Sequence, residues 1–199
     1  MFLRQCAVPL LLLFLASCAT QPGPEYYGET WQQHEATLAN FTHWTVNGKI
    51  ALRNSARSES GNMNWSQRDL VSELILSGPM GLNTTTLHSD GELLVINDGQ
   101  QSRQYDLSSD DAIAMQIGWD LPVQALHYWL KGMPAPEMTI QSLELDGGRL
   151  KRLQQSDWII TVESYQLFQQ IMLPTKLQIE RADTRARIII RKWIQDSAG

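Results

Sequence analysis

From residue 44 onward, apolar and polar residues alternate along most of the chain. In WTVNGKIALR, Trp44, Val46, Ile50 and Leu52 are interleaved with Thr45, Asn47, Lys49 and Arg53. Met63 and Trp65 continue the rhythm, and LVSELILS places Leu70, Leu74 and Leu76 on one face. A period of two marks strands with one buried face. Asp90-Gly91, Asp98-Gly99 and Asp146-Gly147 fall between alternating runs, as hairpin turns require. Further strands are predicted over 139–145, 149–155, 157–165, 173–180 and 185–194.

Three segments break this rhythm and read as helices. Thr30 and Gln33 form a capping box ahead of Trp31 and Leu38, which leaves His34 and Glu35 on an exposed face. Ser108 and Asp111 open a second helix, with Ile113 and Ile117 on one face and Gly118 as its stop. Pro122 opens a third, whose Leu126, Trp129 and Leu130 point inward and whose stop is Gly132. The sum is a mainly β domain with a few helices. Its polar alternation excludes a sheet buried on both faces, and either a sandwich or a curled barrel satisfies the pattern.

A barrel that spans the membrane is excluded by charge. In TRARIIIRKWIQ, strict alternation puts Arg185, Arg187 and Arg191 on one face with Ile189 and Trp193. An arginine facing lipid costs about 2–4 kcal/mol at mid-bilayer. Turning that face to the lumen exposes Lys192 instead, and Lys49 and Arg53 pose the same difficulty.

The first residues belong to no predicted element. Arg4 precedes the apolar run Ala7 to Ala16, and Leu15-Ala16-Ser17-Cys18 follows. This reads as a signal peptide over 1–17, removed before a lipidated Cys18. Removal takes away Cys6, so Cys18 is the one cysteine left, and acylation protects it in an oxidising compartment. Residues 18–29, rich in Pro and Gly, read as a flexible tether, and 30–196 as the folded domain. The leader carries Arg4 and no acid, so its removal makes the formal charge of −5 one unit more negative. That balance argues against a nucleic-acid partner.

Catalytic and metal signatures are missing. His34, His43, His88 and His127 are scattered, without the spacing of zinc or iron ligands. No Gly-x-Ser-x-Gly elbow, P-loop or Gly-x-Gly-x-x-Gly occurs. The expectation is a chain that is not an enzyme and needs no cofactor. The unusual feature is apolar instead. LSGPMGLN (76–83) is built as a turn, yet Met80 and Leu82 occupy its tip.

The lipobox LASC, the stretch WQQHEATLANFTHWTVNGKIAL, LSGPMG, LPVQALHYWLKGMPAP and the terminal LPTKLQIE and IIIRKWIQ occur in the order that resembles the LolB family. Together they span nearly the whole chain beyond the leader. The resemblance implies a single unclosed antiparallel β-barrel, as in LolA and LolB, with a few capping helices around an apolar cavity. It implies a lipid-anchored protein on the periplasmic face of a Gram-negative outer membrane. Such a protein receives triacylated lipoproteins from a soluble LolA-like carrier and inserts them into the inner leaflet. Its partners would be that carrier, the acylated cargo and outer-membrane phospholipid, with the protein itself a monomer.

By the same resemblance, Met80 stands where the family usually carries Leu, at the tip of a loop that meets lipid, with Leu82 beside it. The candidate residues for the acyl-chain cavity are Trp44, Val46, Ile50, Leu52, Met63, Trp65, Leu74, Leu76, Leu126 and Trp129. A passive barrel with a filled core, anchored to the outer membrane as a scaffold for a protein partner, is the alternative.

Overall fold

A computed structural model describes residues 29–81, 83–107 and 121–196. Eleven strands form one antiparallel sheet: β1 (His43–Arg53), β2 (Ser58–Arg68), β3 (Val71–Ser77), β4 (Thr85–Ser89), β5 (Leu93–Asn97), β6 (Ser102–Asp106), β7 (Ile140–Asp146), β8 (Arg149–Gln155), β9 (Trp158–Phe168), β10 (Ile171–Arg181) and β11 (Thr184–Gln195). Their order is β6-β5-β4-β3-β2-β1-β11-β10-β9-β8-β7. Each strand is a hairpin neighbour of the next except β6 and β7, which lie at opposite edges, and the first and last strands pair at the centre. The edges β6 and β7 do not pair, so the barrel stays open. Because the strands form one continuous sheet rather than two, and buried side chains from every strand except β7 belong to a single apolar cluster, the sheet curls around one core as an open barrel, not a sandwich.

The Asp-Gly turns behave as their chemistry dictates. Asp90 accepts from the backbone N–H of Glu92 and Leu93, and Asp98 from Gln100 and Gln101. Gly91 and Gly99 take φ of 98° and 83°, a region that glycine enters at no steric cost.

Among the described residues two α-helices lie against the sheet. The first, α1 (Trp31–Ala39), has the predicted box: the Gln33 N–H donates to Thr30 Oγ1, and the Thr30 N–H to Gln33 Oε1. The second, α2 (Val123–Lys131), begins after Pro122, which is its N-cap, and ends at Gly132. Gly132 has φ 79°, and a Cβ there would stand 2.9 Å from Tyr165 Oη and 3.3 Å from Pro174 Cγ. The helix therefore stops at the only residue type that fits. The helix expected over 108–118, the leader, the tether up to residue 28, Cys18 and Leu82 lie outside the described residues.

Two sequence expectations are corrected. His34 is buried rather than solvated, because it shares a face with Leu38 one turn on, and Glu29 folds back to meet its Nδ1 at 3.2 Å. Trp193 does not share a face with the arginines. Asn47 pairs with Lys192 while Gly48 pairs with Ile190, so Arg191 is an extra residue in β11. This bulge flips the alternation and drives Trp193 inward, where its indole N–H donates to the Pro174 carbonyl at 2.8 Å.

Candidate functional site

The interior opens beside α2. A cleft of about 250 Å³ lies between this helix, the turns at the ends of β2 to β5, and the segment after Gly132. Leu107, Ala125 and Ala135 line it and also belong to the core cluster, so its back wall is the core itself. Tyr128 and Met138 supply further apolar lining. Leu70 sits at its lip, 71% exposed, in the turn that joins β2 to β3.

The cap over this cleft is held mainly at one end. Gln155, wholly buried on β8, accepts from Trp129 Nε1 and the Ala135 N–H, both at 2.8 Å. Its amide donates to the carbonyls of Ala135 and Met138. One side chain thus ties helix and following segment to the sheet. Lys131, also buried, donates to the Leu38 and Phe41 carbonyls, joining the end of α2 to the end of α1. Near its start, α2 is tied by the Gln124 amide, which donates to the Leu107 carbonyl at 3.1 Å.

The cleft lining includes one carboxylate, the exposed Glu137, and the imidazole of His127. Burial first, and then the Lys131 charge, push His127 down to about 4, against a weaker upward pull from the Gln124 backbone; it is neutral at pH 7. Burial lowers Lys131 to about 8. In both cases the unfolded chain binds a proton that the folded chain gives up. Stability therefore falls as pH drops from 6.5 to about 4, and rises as pH climbs from about 8 to 10.5. Urea unfolding across pH 4–7 should show the acid-side loss, and His127→Phe should flatten it.

The ten residues named from the sequence fall together, but not around the cleft. Trp44 packs against Trp65 and Trp193 at centroid distances of 6.0 and 5.3 Å. Val46, Ile50, Leu52, Met63 and Leu74 are buried in the same cluster, and Leu76 is half-buried against it. Leu126 and Trp129 sit beneath α2, with Trp129 against Trp158 at 5.8 Å. The cleft is lined by other residues. In the sequence Leu70 reads as a strand position, while Leu107, Ala135 and Met138 fall in stretches with no period. A rim built from loops leaves no periodic signal; the apolar content of GMPAPEM after a helix stop was the available clue.

A second feature lies at the far end of β3. Residues 78–81 form a single tight turn closed by the Gly81 N–H donating to the Gly78 carbonyl at 3.1 Å. Met80 at its tip is 93% exposed and has φ 58°, the left-handed region. Holding a non-glycine residue there costs about 1–3 kcal/mol. Among the described residues six non-glycine residues take positive φ, and Met80 is the one of them with a large apolar side chain, which is exposed. Among the described residues no group of three His, Cys, Asp or Glu is placed to hold a metal ion.

This architecture and this sequence both have relatives. The family described as "LolB: Outer membrane lipoprotein LolB" matches residues 42–193. An outer-membrane lipoprotein LolB of Pseudomonas putida is 32% identical, with 97% of each chain covered. That of Nitrosococcus oceani is 28% identical, with 96% of each covered. Among solved structures, a LolA superfamily protein from Nitrosomonas europaea superposes with a TM-score of 0.56 at 11% identity, covering 86% of this chain and 96% of that one. A DUF1329 family protein from Desulfovibrio piger gives 0.59 at 10%, covering 83% and 90%. An open antiparallel sheet under a helical cap, matched along almost its whole length by sequences of one kind, makes this chain a member of the LolB family.

Proposed function

We propose that this chain, anchored on the periplasmic face of the outer membrane, receives acylated lipoproteins from a soluble LolA-like carrier. It holds their acyl chains under α2 and passes them to the inner leaflet, with Met80 as the element that enters lipid. The observation that carries this reading is the pairing of an apolar cleft continuous with the core and an exposed apolar tip held in a conformation unfavourable to its own residue type.

The energetics demand such a device. At about 0.8 kcal/mol per methylene, a sixteen-carbon chain in water costs about 12 kcal/mol, and three chains approach 36 as an upper bound. Cargo must pass between apolar surfaces without being wetted. Direction needs only that each successor bind more tightly than the last, so no bond need be made or broken.

Opening of the cap enlarges the cleft for a long acyl chain, and the more weakly tied start of α2, held by the Gln124 amide on the Leu107 carbonyl, is the end that gives.

The anchor and the tip are compatible. Glu29, just ahead of α1, lies beside Gly148 in the turn between β7 and β8, at the opposite end of the strands from Met80. An eleven-residue strand such as β1 is about 36 Å long, and residues 18–29 reach about 40 Å when extended. The tip can touch the bilayer that holds Cys18.

Native mass spectrometry of the protein after brief exposure to acylated peptide tests the uptake half. One acylated peptide per chain, lost when a bulky residue replaces Ala125 in the cleft wall, is expected. A chain that takes up no acyl group under any loading condition would instead be a filled scaffold.

A further inference from the structure

We infer that the outer face of the sheet beneath the Met80 turn is a seat for a phospholipid headgroup, so that the tip docks on a single lipid as it enters the bilayer. This rests on the reading of Met80 given above.

The seat is a hollow of about 400 Å³, distinct from the cleft, since it opens on the opposite face of the sheet. The register shows how it arises. Asn62, Lys49 and Ile189 stand side by side across β2, β1 and β11; Ser60, Ala51 and Arg187 form the adjacent row. Directly paired residues lie about 4.5–5.5 Å apart. Ala51 and Ser60 are small, which makes the floor low. Gly61 is required: a Cβ there would stand 2.5 Å from the Ser77 carbonyl, where β3 crosses toward the turn. Met80 closes the hollow from above.

The lining has two chemistries. Lys49, Arg187, Ser60 and Asn62 are donors, and no carboxylate lines the hollow. Met80, Ile189 and Ala51 are apolar. In a chain of net charge −5 this concentration of cation is local, not general. Lys49 has no acidic partner among the described residues. Arg187 lies 3.5 Å from Glu163, whose same carboxylate oxygen is held more tightly by Lys176 at 2.6 Å. The four donors match a phosphodiester, and the apolar wall matches the glycerol and upper acyl region above it. The volume falls in the range of small-molecule sites, about 300–1,000 Å³. A tip sunk about 5–10 Å into the headgroup boundary sets the hollow at phosphate depth.

The test uses the mature acylated chain, without cargo, in vesicles of phosphatidylethanolamine and phosphatidylglycerol. The vesicles include a phospholipid with a photoreactive diazirine near its glycerol. Illumination and peptide mapping should concentrate adducts on the segments carrying Lys49, Asn62 and Met80. One basic residue at an anionic surface is worth about fivefold in binding, so Lys49→Glu should lower the yield there by at least that factor. Arg187→Gln should lower it as well. Lys151→Glu, on β8 three strands from β11, should leave it unchanged. Adducts no denser there than around Lys151, or a yield unmoved by both Lys49→Glu and Arg187→Gln, would overturn the seat. Because no cargo is present, a failure of delivery by way of Met80 is scored separately and leaves this readout independent.

Discussion

Met80→Glu stops delivery of cargo to the bilayer while the domain folds and loads as before. The side chain is almost wholly exposed and lies outside the core, so replacing it removes no packing. In the membrane-engaged state the balance reverses. Burying a methionine side chain gains about 1.5–3 kcal/mol, and an ionised carboxylate in the apolar layer costs about 2.5 kcal/mol or more. The difference is at least about 4 kcal/mol, roughly a thousandfold in occupancy of the inserted state. Lipoprotein release into vesicles, followed by fluorescence, should fall accordingly, with cargo accumulating on the protein. Met80→Leu should retain delivery. Met80→Gly is the sharper control: it relieves the left-handed backbone and should raise stability by a few tenths to 1 kcal/mol while delivery is lost. Wild-type delivery by Met80→Glu would remove the turn from the mechanism.

Gln155→Leu is the second large effect. Leucine fills nearly the same volume but satisfies none of the four groups that Gln155 engages: the Trp129 indole, both backbone groups of Ala135, and the Met138 carbonyl. Each buried polar group left unpaired costs about 1–3 kcal/mol, and relaxation makes the sum less than additive. A loss of about 4 kcal/mol is expected, which for a domain of this size lowers Tm by about 8–16 °C. The same change frees the cap, so hydrogen exchange in α2 and the segment after it should accelerate more than in β1 or β11. Trp129→Phe removes one donor and leaves a small cavity beside Trp158, so it should cost about 2 kcal/mol, less than Gln155→Leu. Equal destabilisation by the two variants would show that the indole contact, not the network, holds the cap.

Alternation and Asp-Gly turns identified the strands and their hairpins because both are local: a period of two reports one buried face, and φ > 0 demands glycine. Curling into an open barrel was not local, since it depends on β1 finding β11 across the whole chain. Trp193 was misplaced because one extra residue, Arg191, shifts the alternation, and a bulge is defined by its partner strand rather than by its own sequence. His34 read as solvated because its partner Glu29 precedes the helix and returns to it. Gln155 read as one more polar residue near a turn, although it is the best-connected side chain under the cap; its four partners lie 17 to 26 residues away. The exposed tip at Met80 was legible because an apolar residue inside a Gly-Pro-x-Gly turn contradicts its own local rule. The cleft was not, because its rim is assembled from loop residues that share no period.

The central claim is that fatty chains pass from a carrier into this interior without meeting water. Transfer of a lipoprotein bearing a fluorophore on one acyl chain, from its carrier complex to this protein, measures that step directly. The claim predicts that the probe stays blue-shifted throughout, resists aqueous quencher, and arrives at a rate proportional to the concentration of this protein. A quencher-sensitive interval during transfer, or a rate set only by spontaneous release from the carrier, would contradict it.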